Sequence, residues 1–109
     1  MAANARRGEI SAEFDGVKYR LCLTLGALAE LENAFGAGDL NALAERFGTG
    51  RLSAKDMMEI IAAGMRGGGA EIEAADVGRM QGEGGLGFYA QVVTRLLAAT
   101  FGMPQDTAA

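Results

Sequence analysis

Histidine and tryptophan are absent from this 109-residue chain, and cysteine and proline occur once each. Without histidine, the commonest general base and the commonest metal ligand are both missing. The single cysteine, Cys22, cannot form an intrachain disulfide, so no oxidising compartment is implied. Zinc sites of the usual Cys/His type are out of reach for the same reason. Serine occurs only as Ser11 and Ser53. The first falls on a water-facing strand position and the second at a helix start, and neither has a base nearby to activate it. The acidic residues have structural assignments: Asp15 in a turn, Asp39 and Asp56 at helix starts, Glu9 and Glu13 on a solvated strand face. No Asp-x-Asp-x-Asp-Gly calcium loop is present. The expectation is a protein that is no enzyme and that needs no cofactor and no metal.

Positive charge is also sparse. Ten basic residues stand against fourteen acidic ones, for a net charge of −4, and the only basic dipeptide is Arg6-Arg7. Nucleic-acid binding draws on a clustered positive footprint, so neither nucleic acid nor an anionic membrane is an expected partner. No apolar run approaches the ~20 residues of a membrane span. The start, Met1 to Ile10, lacks the apolar stretch of a signal peptide. A cytoplasmic protein is the simplest expectation.

Glycine is plentiful, with 17 residues, about twice the ordinary share of ~7%. Many turns and helix ends follow. The chain length predicts one domain, here 8–102, with a flexible N-terminus over 1–7 and a flexible tail over 103–109. Asp15-Gly16 is a preferred pair for a two-residue type I′ hairpin turn between alternating segments. A turn there sets Phe14 against Val17, Ala12 against Tyr19 and Ile10 against Leu21 on one side of the ribbon. Glu13 with Lys18 and Ser11 with Arg20 form the polar side. A slip of one residue would reverse both faces, which makes this register specific.

Helices follow. Thr24 is placed to cap the first, with Leu23 and Leu28 as a hydrophobic staple, Leu28, Leu31 and Phe35 on one face, and Gly36 as the stop. A second begins after Asp39, with Leu40, Leu43, Ala44 and Phe47 on a stripe and Gly48 at its end. The third starts on Ser53, with Asp56 at the capping-box position and Leu52 placed to staple to Met57; it continues through Met58, Ile61 and Met65. Arg66 there complements the helix dipole before Gly67-Gly68-Gly69. A short helix spans Ala74 to Met80, with Ile72 and Val77 as a staple pair and Glu73 as a poor cap. The last runs from about Leu86 to Phe101, with Tyr89, Val93, Leu96, Leu97 and Phe101 inward and Gly102 closing it. A lone hairpin is marginal in water. The predicted fold is therefore α+β, an N-terminal two-stranded antiparallel hairpin packed on four to five helices.

Four features invite a functional reading. Gly82, Gly84 and Gly87 spell G-x-G-x-x-G at a helix start, but a dinucleotide turn needs a preceding strand and a βαβ unit; a glycine connector is expected instead. Five methionines follow Met1: Met57, Met58, Met65, Met80 and Met103. They fit core filling, and they also fit an adaptable binding surface. Met57 and Met58 are adjacent, so equal burial on one face is not expected, and one of them could join an exposed apolar patch. Gly64 within the third helix costs ~1 kcal/mol against alanine, which close helix packing would explain first and an interface second. The hairpin edges could take another chain's strand, or helices could cover them; both readings stay open. The partner-binding candidates are Met57, Met58, Ile61, Met65, Tyr19 and Leu21.

Several stretches read together carry a resemblance. Arg7-Gly8-Glu9 leads into the hairpin, then LTLGALAELENAFG (Leu23 to Gly36), LAERFGTGRLSAKD (Leu43 to Asp56), AAGMRGGG (Ala62 to Gly69) and LLAATFG (Leu96 to Gly102). In these the chain resembles the small gene transfer agent tail family of alphaproteobacteria, related to phage tail assembly chaperones and sometimes labelled tail tube protein. The resemblance spans roughly residues 7 to 102, and 70 to 90 match least. It implies a non-enzymatic assembly factor for a phage-derived tail, with tape measure and tail tube proteins as partners and self-association compatible with either role. The alternative it implies is a structural tail tube subunit incorporated into the particle.

Overall fold

The computed structural model describes residues 8–82 and 84–102. The proposed flexible ends, the Arg6-Arg7 pair and Met103 lie outside these residues. The hairpin is formed by β1 (Glu9–Phe14) and β2 (Val17–Cys22) in the expected register, with Phe14 opposite Val17, Ala12 opposite Tyr19 and Ile10 opposite Leu21. Asp15 (φ 53°) and Gly16 (φ 78°) both take positive φ, the conformation a type I′ turn demands. Ile10, Ala12, Phe14 and Leu21 are buried. Val17 is 49% exposed although it lies on the apolar side. It flanks the turn, where the larger Phe14 ring fills the space under the ribbon by packing on Tyr19, Phe88 and Tyr89.

Five helices follow: α1 (Leu25–Phe35), α2 (Leu40–Gly48), α3 (Ala54–Gly67), α4 (Ala74–Arg79) and α5 (Gly85–Phe101). The start signals act as their chemistry dictates. Thr24 accepts the Ala27 N–H at 3.1 Å, Asp39 accepts that of Ala42 at 2.8 Å, and Ser53 with Asp56 completes a reciprocal box. Gly36 ends α1 in the left-handed conformation. The end of α2 falls where expected. Gly48 is its last helical residue, and Thr49 caps it by donating its hydroxyl to the Arg46 carbonyl at 2.8 Å. Leu40 opens α2 and is 40% exposed, because the buried stripe narrows to Leu43 and Phe47.

Helix α3 is the centre of the domain. It packs against β2, α1, α4 and α5, and its Ile60, Ile61, Ala62, Ala63 and Met65 have no exposed surface. Helix α5 buries Val92, Val93, Leu96 and Leu97. Val92 was missing from the expected inward set; α5 faces both α3 and the hairpin, so its buried stripe is wider than one side requires. No polar or charged residue among those described is buried.

The C-terminal end of α3 lies on the open edge of β2. In a two-residue hairpin the closing pair is hydrogen-bonded, so the backbone groups of Lys18, Arg20 and Cys22 point outward. A methyl group built on Gly67 would stand 1.9 Å from the Cys22 carbonyl oxygen, and one on Gly68 1.8 Å from that of Arg20. Only residues without a side chain fit there. Gly64, one turn earlier, faces the side chains of Leu96 and Leu21, which a methyl group would meet at 2.8 and 3.3 Å, and this closeness accounts for a glycine in mid-helix. On the other edge, Arg95 of α5 donates to the Ser11 carbonyl at 3.3 Å. Helix α3 therefore covers the β2 edge of the hairpin, while on the β1 edge α5 contributes the Arg95 bond to Ser11.

Candidate docking cleft

The first turn of α3 is held from several sides. The Asp56 carboxylate accepts the Ser53 N–H at 2.9 Å and an Arg46 guanidinium N–H at 3.1 Å. Arg46 also donates to the Arg51 carbonyl and stacks over the Phe35 ring, 5.5 Å from its centroid. Partial desolvation pushes the Asp56 carboxyl up. The backbone hydrogen bond from Ser53, the Arg46 charge and the side-chain hydrogen bonds to both outweigh it, so its pKa lies below the usual value. A lowered folded-state pKa means stabilisation that is full above the unfolded value and is lost as pH falls through the folded one. Asp56→Asn should therefore melt below wild type at neutral pH, by a difference of about 1 kcal/mol, the usual size of a capping contribution. The gap should close below about pH 4. Thermal melts across pH 3 to 7 check this; a gap independent of pH would contradict it.

This anchoring fixes Met57 and Met58 on neighbouring sides of α3. Both are half-buried, and each borders a concavity. One cleft, of about 190 Å³, lies between α3, α4 and the start of α5 and is lined by Met57, Met58, Ile61, Val77, Leu86 and Tyr89. Leu86 stands at its rim with 70% of its surface exposed. A second, of about 370 Å³, lies between α2, α3 and α5, with Phe47, Leu52, Val93 and Leu97 among its walls. Met57 borders both and forms the ridge between them. The walls are predominantly apolar, and a thioether ridge can repack around differently shaped side chains.

The other sequence candidates separate from this surface. Ile61 forms a wall of the first cleft but has no exposed surface, and Leu21 and Met65 are fully buried in the core and present nothing to a partner. Tyr19 is half-buried beside Phe14, with ring centroids 6.3 Å apart. Leu86, Val77 and Tyr89 were not among the candidates. The sequence signal for Leu86 was its place three residues before Tyr89, an apolar residue at the very start of a helix.

The glycine motif is explained by Tyr89. The Tyr89 hydroxyl donates to the Met80 carbonyl at 2.6 Å and accepts the Gly82 N–H at 3.0 Å, and a methyl group on Gly82 would overlap the Phe88 ring. A helix precedes this segment, and the described sheet has two antiparallel strands and no βαβ unit. The turn wraps the Tyr89 phenol. Among the described residues no group of His, Cys, Asp or Glu could hold a metal ion, and no helix is long and apolar enough to cross a membrane.

The fold defines a small helix-dominated α+β domain whose concave surfaces are apolar. A family model described as "Phage tail tube protein, GTA-gp10" matches residues 7–103. The chain belongs to this family, a phage-tail family of gene transfer agents. No curated protein and no solved structure matches it.

Proposed function

We propose that this protein is a non-enzymatic assembly factor for a gene transfer agent tail, a chaperone-like protein that holds the tape measure protein, and tail tube proteins with it, through the cleft bordered by Met57 and Met58. The observation that carries the reading is the cleft itself: an apolar concavity with a methionine ridge and an exposed leucine at its rim, in a chain of a tail family. A partner's side chains would cover the rim leucine together with the apolar cleft. The family description supports a second reading, a tail tube subunit of the particle. One two-stranded hairpin is a small β contribution for a tube wall built from sheets, and this favours the transient role.

Two measurements separate these readings. Co-expression should raise the soluble yield of the tape measure protein severalfold and recover a complex. Purified particles should then lack this protein, while a deletion strain makes particles without functional tails. A stoichiometric copy number in finished particles would instead select the tube subunit.

A further inference from the structure

One wall of the cleft is held far more lightly than the others. Helix α4 has six residues, of which only Val77 is buried, and it packs chiefly on α3. Before it, Gly69 (φ 107°) turns the chain, and the Arg66 guanidinium donates to the Ile72 carbonyl at 2.7 Å. After it, Tyr89 bonds to Met80 and Gly82. The hairpin turn grips Gln81 twice, through the Asp15 N–H to its carbonyl and the Asp15 carboxylate from its N–H, at 2.9 and 3.0 Å. Polar ties at the two ends, with Val77 the one fully buried residue between them and Ala70, Ile72, Ala74 and Met80 only partly buried, describe a strap. The contact beneath it is close: a methyl group on Gly78 would stand 2.6 Å from the Met58 sulfur. Met58 and Ile61, one turn apart on α3, are covered at this point.

We propose that residues 70–82 form a strap that opens while the rest of the domain stays folded, uncovering Met58 and Ile61 as a continuous extension of the cleft. Opening breaks six hydrogen bonds, the long Arg66–Glu73 ion pair, the burial of Val77 and the partial packing of Ala70, Ile72, Ala74 and Met80, whereas global unfolding strips every one of the buried core residues from α1 to α5. Local openings of this kind come from segments with few buried contacts. The device would let an apolar binding surface stay covered until a partner needs it. It accounts for Ile61 lying in the wall of an open cleft with no surface of its own. Its meaning for binding rests on the docking role of the cleft, but the opening is measured with no partner present, so the two can fail separately.

Thiol labelling tests it. In a Cys22→Ser background, Ile61→Cys reports exposure beneath the strap and Leu31→Cys reports the core of α1. Ile61→Cys should react at least tenfold faster than Leu31→Cys, with a weak dependence on low urea. Leu43→Ala, which weakens the domain far from the strap, should speed only Leu31→Cys. Tyr89→Phe should speed Ile61→Cys about tenfold. Equal labelling of the two sites, with equal response to Leu43→Ala, would overturn the proposal. Should Ile61→Cys fail to fold, hydrogen exchange of the unmodified protein decides: amides of α4 must exchange with a weaker urea dependence than those around Leu31. A common, steep dependence overturns it.

Discussion

Gly67→Ala and Gly68→Ala should each lower the melting temperature by roughly 10–20 °C, and Gly48→Ala should leave it unchanged or raise it slightly. The contrast is informative because the substitution is the same. All three glycines have negative φ, so alanine meets no backbone strain, and in a helix it is intrinsically favoured by up to ~1 kcal/mol. At Gly48 nothing lies within 4 Å of the added methyl group. At Gly67 and Gly68 the methyl carbon would fall 1.9 and 1.8 Å from backbone carbonyl oxygens of β2. A backbone carbonyl cannot rotate away as a side chain can. Relief requires α3 to lift from the hairpin, exposing the β2 edge and loosening the contacts of Leu21 with the core. Overpacking of this severity costs about 3 kcal/mol or more, a large part of the 5–15 kcal/mol that holds a domain together. For a domain of this size that corresponds to the stated shift. Gly64→Ala should fall between, since its nearest neighbour is the movable Leu96 Cδ2 at 2.8 Å. Melting curves within a degree or two of wild type for both Gly67→Ala and Gly68→Ala would refute the covered-edge packing.

The second large effect concerns binding. Leu86→Asp should weaken capture of the tape measure protein at least tenfold while leaving the fold intact. Leu86 is 70% exposed and lies in the first turn of α5, where a carboxylate interacts favourably with the helix dipole, so stability should hardly change. In a complex the same position would be covered. Burying a leucine is worth about 1.5–3 kcal/mol, and burying an unpaired carboxylate in its place is worse than losing that. Each 1.4 kcal/mol is a factor of ten in affinity, so the combined change exceeds tenfold. Met57→Ser at the ridge between the two concavities should act in the same direction, more weakly.

Much of this architecture was legible in the residues. Asp15-Gly16 and the alternation on both sides of it dictate one register, because turn type and face pattern agree. Thr24, Asp39, Ser53 and Asp56 are short polar side chains directly ahead of apolar stripes, and each caps as its chemistry requires. What stayed hidden depended on partners distant in sequence. Gly67 and Gly68 read as a helix end; their seating on Arg20 and Cys22 is visible only once α3 lies along the hairpin. Helical spacing set Met58, Ile61 and Met65 on related faces, but spacing cannot tell how many elements surround a helix. Four pack on α3, which is why Met65 is core and Met58 only half so. The Tyr89 hydroxyl left no sequence trace of its role in closing the loop after α4.

If the cleft beside Met57 and Met58 holds a tail protein client, as proposed, the client's solubility depends on that cleft. The most direct measurement is the amount of tape measure protein that stays soluble and copurifies when co-expressed with wild type, with Leu86→Asp, or with neither. A soluble complex is expected with wild type, and a loss of at least tenfold with Leu86→Asp, whose melting temperature matches wild type. Equal recovery with wild type and Leu86→Asp would contradict it, and so would no recovery with either.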